Sequence, residues 1–316
     1  MYALGIDIGG TNTVVGVVDE NLNILSKVSF KTLAPRSAES LCEDISRAAR
    51  EAAEKANIKY SDICAAGADS PGVISKGICE FANNLGFVDV PLEKILSRSL
   101  SVPTVLSNDG NAAAYGEFVA GCGRGKNSLA MLTIGTGIGG GFVSVIDGKL
   151  SFDDFGAEMG HFVVNSKGRK CSCGSKGCIE TYCSATALIK DTKAAMRKHV
   201  DSLLWKVCPR LEDVDGKTVF KAAEMGDQTA KKLLDNFINY LAIGVYNIIV
   251  LFRPDTICIG GGMSREGEAL LAPIRAKIAG NPLGSLIGKN TEIRAAELCG
   301  DAGLIGAAAL SFRIEK

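Results

Sequence analysis

The sequence predicts an α/β protein made of two related halves that face each other across a cleft. Three observations carry that expectation. Residues 4–25, LGIDIGGTNTVVGVVDENLNIL, and residues 131–152, MLTIGTGIGGGFVSVIDGKLSF, share one order of parts: strand, Gly/Thr turn, strand, Asp-containing turn, strand. Each copy points its Gly/Thr turn from a strand end, where duplicated halves would leave a cleft. Segments of helical periodicity follow each copy. The alternative is a pair of ordinary glycine-rich hairpins.

Composition bounds the function. The chain has 316 residues, with 35 Lys+Arg against 35 Asp+Glu. No net charge is left to draw it to nucleic acid or an anionic membrane, and neither is expected as a partner. With 47% hydrophobic and 22% charged residues it is globular rather than disordered, and a chain of this length usually folds as about two domains. The longest dense apolar run, Tyr240 to Phe252, contains Asn247 and is shorter than the ~18 residues a bilayer span needs. It reads as the buried part of a core helix. No basic segment precedes the first apolar run, so no secretory signal is read and the cytoplasm is the expected compartment.

Taken in order, Tyr2 to Ile8, Thr13 to Val18 and Ile24 to Phe30 read as strands of an antiparallel meander, separated by GGTN and DENLN turns. From Ser37 to Ala56 the apolar positions Ala38, Leu41, Ile45, Ala48, Ala49 and Ala52 follow helical spacing, and Ser40 with Glu43 has the form of a capping box. Strands are expected at Ile63 to Ala68 and Pro103 to Leu106, then a helix from Asn111 to Ala120 after the NDGN turn. After the second copy come a Cys-rich loop, helices over Ala185 to Lys198 and Thr229 to Phe252, a strand from Thr256 to Ile259 and a last helix over Gly303 to Phe312.

Three glycine turns suit a nucleotide. Asp7, Gly9, Gly10 and Thr11 set a carboxylate at a strand end beside backbone amides that no side chain obstructs, which fits phosphates and a divalent metal. Gly135, Thr136 and Gly137 open a second turn. It contains a literal GxGxxG, but this does not open a helix, so a dinucleotide fold is a poor reading, and no GxxxxGK[ST] occurs. Gly261 and Gly262 follow a buried strand and suit a purine or ribose.

Eleven cysteines without an export signal point to reduced thiols or a metal. Cys42, Cys64, Cys79, Cys122, Cys208, Cys258 and Cys299 are scattered among apolar neighbours and read as core residues. Cys183 reads as packing and His199 as solvent-facing. His161, Cys171, Cys173 and Cys178 form a compact set whose three thiolates and one imidazole suit a closed, structural tetrahedral zinc site. Reduced surface thiols beside an unrelated histidine are the alternative.

These motifs, in this order, resemble the ROK group of bacterial sugar kinases and repressors along nearly the whole chain: DIGGT, Asn108-Asp109-Gly110-Asn111, GTGIGGG, Glu158-Met159-Gly160-His161, CSCGSKGCIE and the late GGG. The resemblance implies a pair of actin-like (RNase H-like, hexokinase-type) domains and transfer of phosphate from ATP, with Mg2+, to a hexose 6-hydroxyl, most like a glucokinase. It makes Asp109 the general base and Asn84, Asn108, Glu158, His161 and Glu180 the sugar contacts. A helix cap at Asp109 and surface roles for Glu158 and Glu180 are the alternatives.

The expected division is a small domain over 1–118, joined by the helix 303–316, and a large domain over 119–302 bearing the zinc loop. A homodimer or homotetramer is the expected assembly. Asn12, Asp69 and Phe87 depart from the family's usual lysine, small residue and tryptophan, and Asp69 and Phe87 bear on which sugar fits. N-acetylmannosamine or N-acetylglucosamine is the alternative substrate. A sugar-responsive repressor of the same family would carry a winged helix-turn-helix ahead of a phosphate turn that here begins at residue 7.

Overall fold

The computed structural model describes residues 1–147, 149–152 and 158–314; the last two residues of the expected C-terminal helix and Gly148 of the second copy lie outside them. By its contacts the chain forms two units: Met1–Met131 with Gly140–Ala157 and Glu297–Lys316, and Leu132–Gly139 with Glu158–Ala296.

The expected meander is present as β1 (Tyr2–Ile8), β2 (Asn12–Asp19) and β3 (Ile24–Lys31), paired antiparallel. Helix α1 (Ala38–Lys55) follows. Its cap is Ser37, whose side chain accepts from the Ser40 N–H, which corrects the Ser40–Glu43 capping box. The helix begins a turn earlier than that box requires, so Ser40 is already inside it. Strand β4 (Ile63–Ser70) runs parallel to β1. Three short strands, β5 (Val73–Ser75), β6 (Ile78–Ala82) and β7 (Phe87–Val90), form their own antiparallel sheet, which the sequence reading did not anticipate. Helix α2 (Leu92–Leu100), β8 (Thr104–Asn108) and α3 (Asp109–Val119) come next, and β8 pairs parallel with β4.

Strands β9 (Ser128–Ile134), β10 (Ile138–Ile146) and β11 (Lys149–Phe152) form the second copy. Beyond them lie α4 (Glu180–Cys183), α5 (Ala185–Lys198), α6 (Leu204–Val207), α7 (Thr218–Glu224) and α8 (Gln228–Phe252). The chain continues with β12 (Thr256–Gly260), α9 (Glu268–Ala279), α10 (Pro282–Ile287), β13 (Glu292–Ala295) and α11 (Ala302–Ser311). The two large sheets have the orders β3-β2-β1-β4-β8 and β11-β10-β9-β12-β13. Position by position these orders correspond, so the sequence echo reflects a repeated sheet plan and not two isolated hairpins.

In the first unit Leu4, Ile6, Ile8, Val15 and Val17 pack on Leu41, Ile45, Leu92 and Leu96 of α1 and α2. Each such side chain, fully buried, stabilises by about 1.5–3 kcal/mol. The opposite face carries glycines because α11 lies directly on it: a Cβ at Gly5 would meet the Leu304 carbonyl and one at Gly67 that of Ala307. Fully buried Glu117 on α3 accepts the N–H groups of Cys122 (3.0 Å), Glu297 (3.1 Å) and Leu298 (2.7 Å), clasping the segment that leads into α11.

Helix α8 is long and apolar enough to cross a membrane by composition, yet it packs against α4, α5, α7, α9 and α10. In its apolar run Leu241, Ala242, Gly244, Val245, Ile248 and Ile249 are buried, whereas Val250, Leu251 and Phe252 are exposed, which corrects the reading of that run as wholly buried. The last turn projects past the helices that cover the rest. Among the scattered cysteines, Cys64 and Cys299 are also exposed, because one ends up facing outward from β4 and the other precedes α11.

Candidate active site

In the first unit the half-buried Asp7 stands at the end of β1 and leads into the turn Gly9–Thr11. The Gly9 N–H donates to the Asn12 carbonyl (3.0 Å) and the Thr32 hydroxyl donates to the Gly9 carbonyl (2.6 Å), so the turn is braced from beyond β3. A Cβ on Gly10 would lie 3.0 Å from Cβ of Asn84, which places the exposed Asn84 beside the glycine turn.

At the end of β8 the Asn108 Nδ2 donates to the Gly72 carbonyl (2.8 Å), while its Oδ1 accepts from the N–H groups of Gly110 (2.9 Å) and Asn111 (3.3 Å). Asn108 is therefore the cap of α3, and Asp109 is the first helical residue, not the cap. The exposed Asp109 carboxylate accepts from the Gly110 N–H at 2.8 Å, at a helix end whose dipole favours an anion. Deeper in the same unit Asp69 is fully buried. Burial first, then the neighbouring Asp7 and Asp109, push its carboxyl well above the usual range, and burial also raises Asp7. Phe87 is buried in the core of this unit.

In the second unit the Gly135 N–H donates to the Gly137 carbonyl (3.0 Å), and the Ala185 N–H donates to the Gly135 carbonyl (2.8 Å), which ties the turn to the start of α5. Glu180 Oε2 accepts the Ile138 N–H at 2.9 Å, and a Cβ at Gly137 would strike that carboxylate. Gly261 has φ +75 and lies so close to the Ile134 backbone that a Cβ would collide with it, so the turns after β9 and β12 are neighbours. Gly262 follows it as the first residue of a short 3-10 turn.

The cysteine loop folds back on His161. His161 Nδ1 lies 3.5 Å from Cys171 Sγ, and Cys173 Sγ lies 3.7 Å from Cys178 Sγ. A tetrahedron with metal–sulfur bonds of about 2.3 Å has edges of roughly 3.8 Å, so the donors fit zinc in number, kind and spacing. His161 Nε2 is turned the other way, 4.0 Å from Oε2 of the exposed Glu158. Cys183 is buried and His199 exposed, as expected. Two features have no local signature: the bond from Ile138 to Glu180, and the burial of Asp69 beside Asp7. Both depend on contacts between segments far apart in sequence.

The ROK family model matches residues 3–313. The chain belongs to the ROK family. Among its ROK relatives, the glucokinase of Thermotoga maritima is 37% identical over 97% of this chain and 96% of its own length. A ROK glucokinase from Streptomyces griseus in complex with glucose and AMPPNP superimposes with a TM-score of 0.81, at 34% identity, over 99% of this chain and 100% of that one. The ROK hexokinase of Thermus thermophilus gives 0.79 at 31% identity, covering 99% and 98%. The actin-like, hexokinase-type fold expected from the motifs is thus the fold of this ROK protein.

Proposed function

We propose that this protein is a glucokinase that moves the γ-phosphoryl group of ATP to the 6-hydroxyl of glucose. The observation that carries the reading is its end-to-end likeness, at 34% identity, to a glucokinase in complex with glucose and AMPPNP. Curated glucokinases at 31% to 37% identity over nearly the whole chain support it.

In this reading Asp109 is the general base. It accepts the proton of the sugar hydroxyl as that oxygen attacks the γ-phosphorus, and the bond to the bridging oxygen breaks to release ADP. The N-terminus of α3 favours the anionic carboxylate this requires. Asn108, its carboxamide already bonded to Gly72 and to the first turn of α3, serves by fixing Asp109 in place. Asn84, Glu158, His161 and Glu180 supply donors and acceptors for sugar hydroxyls. The turns at Gly9–Thr11 and Gly135–Gly137 offer amides to the phosphates, and Gly261 and Gly262 pass the nucleoside. Asp7 would hold the Mg2+ that accompanies ATP, an ion that neutralises phosphate charge when bound. His161, Cys171, Cys173 and Cys178 would hold a structural zinc that fixes the loop carrying Glu180.

The test is a panel of glucose, mannose, fructose, allose, N-acetylmannosamine and N-acetylglucosamine with ATP and Mg2+, comparing kcat/KM by coupled ADP release. Glucose is expected to lead. An N-acetylated sugar ahead by about tenfold or more, a margin that one pocket wall can supply, overturns the glucose assignment.

A further inference from the structure

The strand register of the first unit sets three polar side chains in one row. Asp7 is paired with Asp69 across β1 and β4, and Asp69 with Ser107 across β4 and β8, so all three point to the same sheet face. That face is the one α11 covers. Asp69 is 0% exposed and Ser107 3% exposed, and neither Asp69 oxygen nor the Ser107 hydroxyl makes a well-formed hydrogen bond; the groups nearest Asp69 are the Asp7 carboxyl and the Ile8 N–H. Asp7 and Asp69 of this row lie against Gly303 in the first turn of α11. A Cβ there would lie 2.8 Å from Asp69 Oδ2 and 3.6 Å from Asp7 Oδ2, so both carboxylates flank one small space.

An ionised carboxylate buried without well-placed donors is costly, and a second one beside it adds to the cost. Two carboxyl groups and a hydroxyl are hard donors, and a hard divalent cation is a ligand that would hold both carboxyls ionised and satisfy all three together. We propose that Asp69, with Asp7 and Ser107, forms a divalent-cation site that this chain fills before any nucleotide arrives. The proposal deepens the glucokinase reading, in which Mg2+ is otherwise expected to come with ATP. Asp69 would convert a metal borrowed from the substrate into one resident beside the phosphate turn.

The experiment is a titration of Mn2+ into the full-length, magnesium-depleted protein without nucleotide or sugar, following free Mn2+ by electron paramagnetic resonance. One Mn2+ per chain is expected, displaced by Mg2+. Asp69→Asn and Asp69→Gly should each weaken it by roughly tenfold or more, and Ser107→Ala should weaken it less. Circular dichroism and zinc content confirm that the variants are folded. The proposal is overturned if the parent protein binds no Mn2+, or if both Asp69 variants bind it as tightly as the parent. It is equally overturned if the parent shows a carboxylic-acid infrared band that Asp69→Asn removes while no Mn2+ binds, since the pair would then share a proton. Sugar turnover is measured separately, so loss of the cation site leaves the glucokinase reading standing, and the reverse holds too.

Discussion

Replacing Glu180 tests both roles proposed for it, a sugar contact and the brace of the Gly135–Gly137 turn. Its carboxylate accepts the Ile138 N–H at 2.9 Å, and Ile138 itself is 4% exposed, so this side chain is the acceptor that N–H loses on truncation. A hydrogen bond to a charged group contributes about 1.5–3 kcal/mol. At about 1.4 kcal/mol per decade, its loss in Glu180→Ala corresponds to roughly 10- to 150-fold in any equilibrium that needs the turn in place. Glu180→Gln keeps a neutral acceptor worth about 0.5–1.5 kcal/mol, so the turn should lose roughly tenfold or less. The assay is the Kd of a fluorescent ATP analogue without sugar, paired with the Kd of glucose without nucleotide. Both variants should bind glucose weakly, and Glu180→Ala should bind the nucleotide more weakly than Glu180→Gln. If Glu180→Ala, with zinc content and melting temperature unchanged, binds nucleotide like the parent protein, the bond to Ile138 does not hold the turn and the reasoning fails.

Asp109→Asn should fold and bind glucose while kcat drops by ~10² to 10⁴, as for loss of a general base; near-normal turnover in a coupled ADP assay would remove that role. One zinc per chain is expected by elemental analysis, and Cys178→Ser should lower both zinc content and melting temperature; metal-free protein with unchanged activity and Tm would exclude a structural zinc. Asp227 caps α8: burial opposes its charge, but the N–H groups of Ala230 and Leu203 and the Ser202 hydroxyl outweigh that and hold its carboxyl below the usual range. Its stabilisation is therefore complete above the unfolded carboxyl's range and is lost as pH falls through the folded value. Asp227→Ala should cost about 1.5–3 kcal/mol at neutral pH, with the two melting temperatures converging in acid.

What was legible in the sequence was local. Ser184 capping α5 through the Ala187 N–H lets periodicity place that helix at Ala185–Lys198, and the tight spacing of Cys171, Cys173 and Cys178 lets one loop declare a metal set. The start of α3 was not legible, because Asn108 and Asp109 are both good caps and only the reach of Asn108 to Gly72 decides between them. The β5-β6-β7 sheet escaped because strands of three to five residues are too short to show a period, and Val73, Phe81 and Val88 leave apolar side chains exposed. Asp69 stands out in the chain only as an unusual residue. Its neighbours Asp7 and Ser107 come from strands that precede and follow it by dozens of residues, and register alone brings them together.

The Glu117 clasp and the helix it leads to also govern how the chain can be made. Helix α11 covers one face of β1 and β4, strands that leave the ribosome long before it does. The 231 residues 71–301 are synthesised between the end of β4 and the start of α11, which at ~5–20 residues per second takes roughly 10–45 s. Throughout that interval the glycine-lined sheet face lacks its helix, and Glu117 lacks the N–H groups of Glu297 and Leu298. A face laid down early thus closes only when α11 has been made.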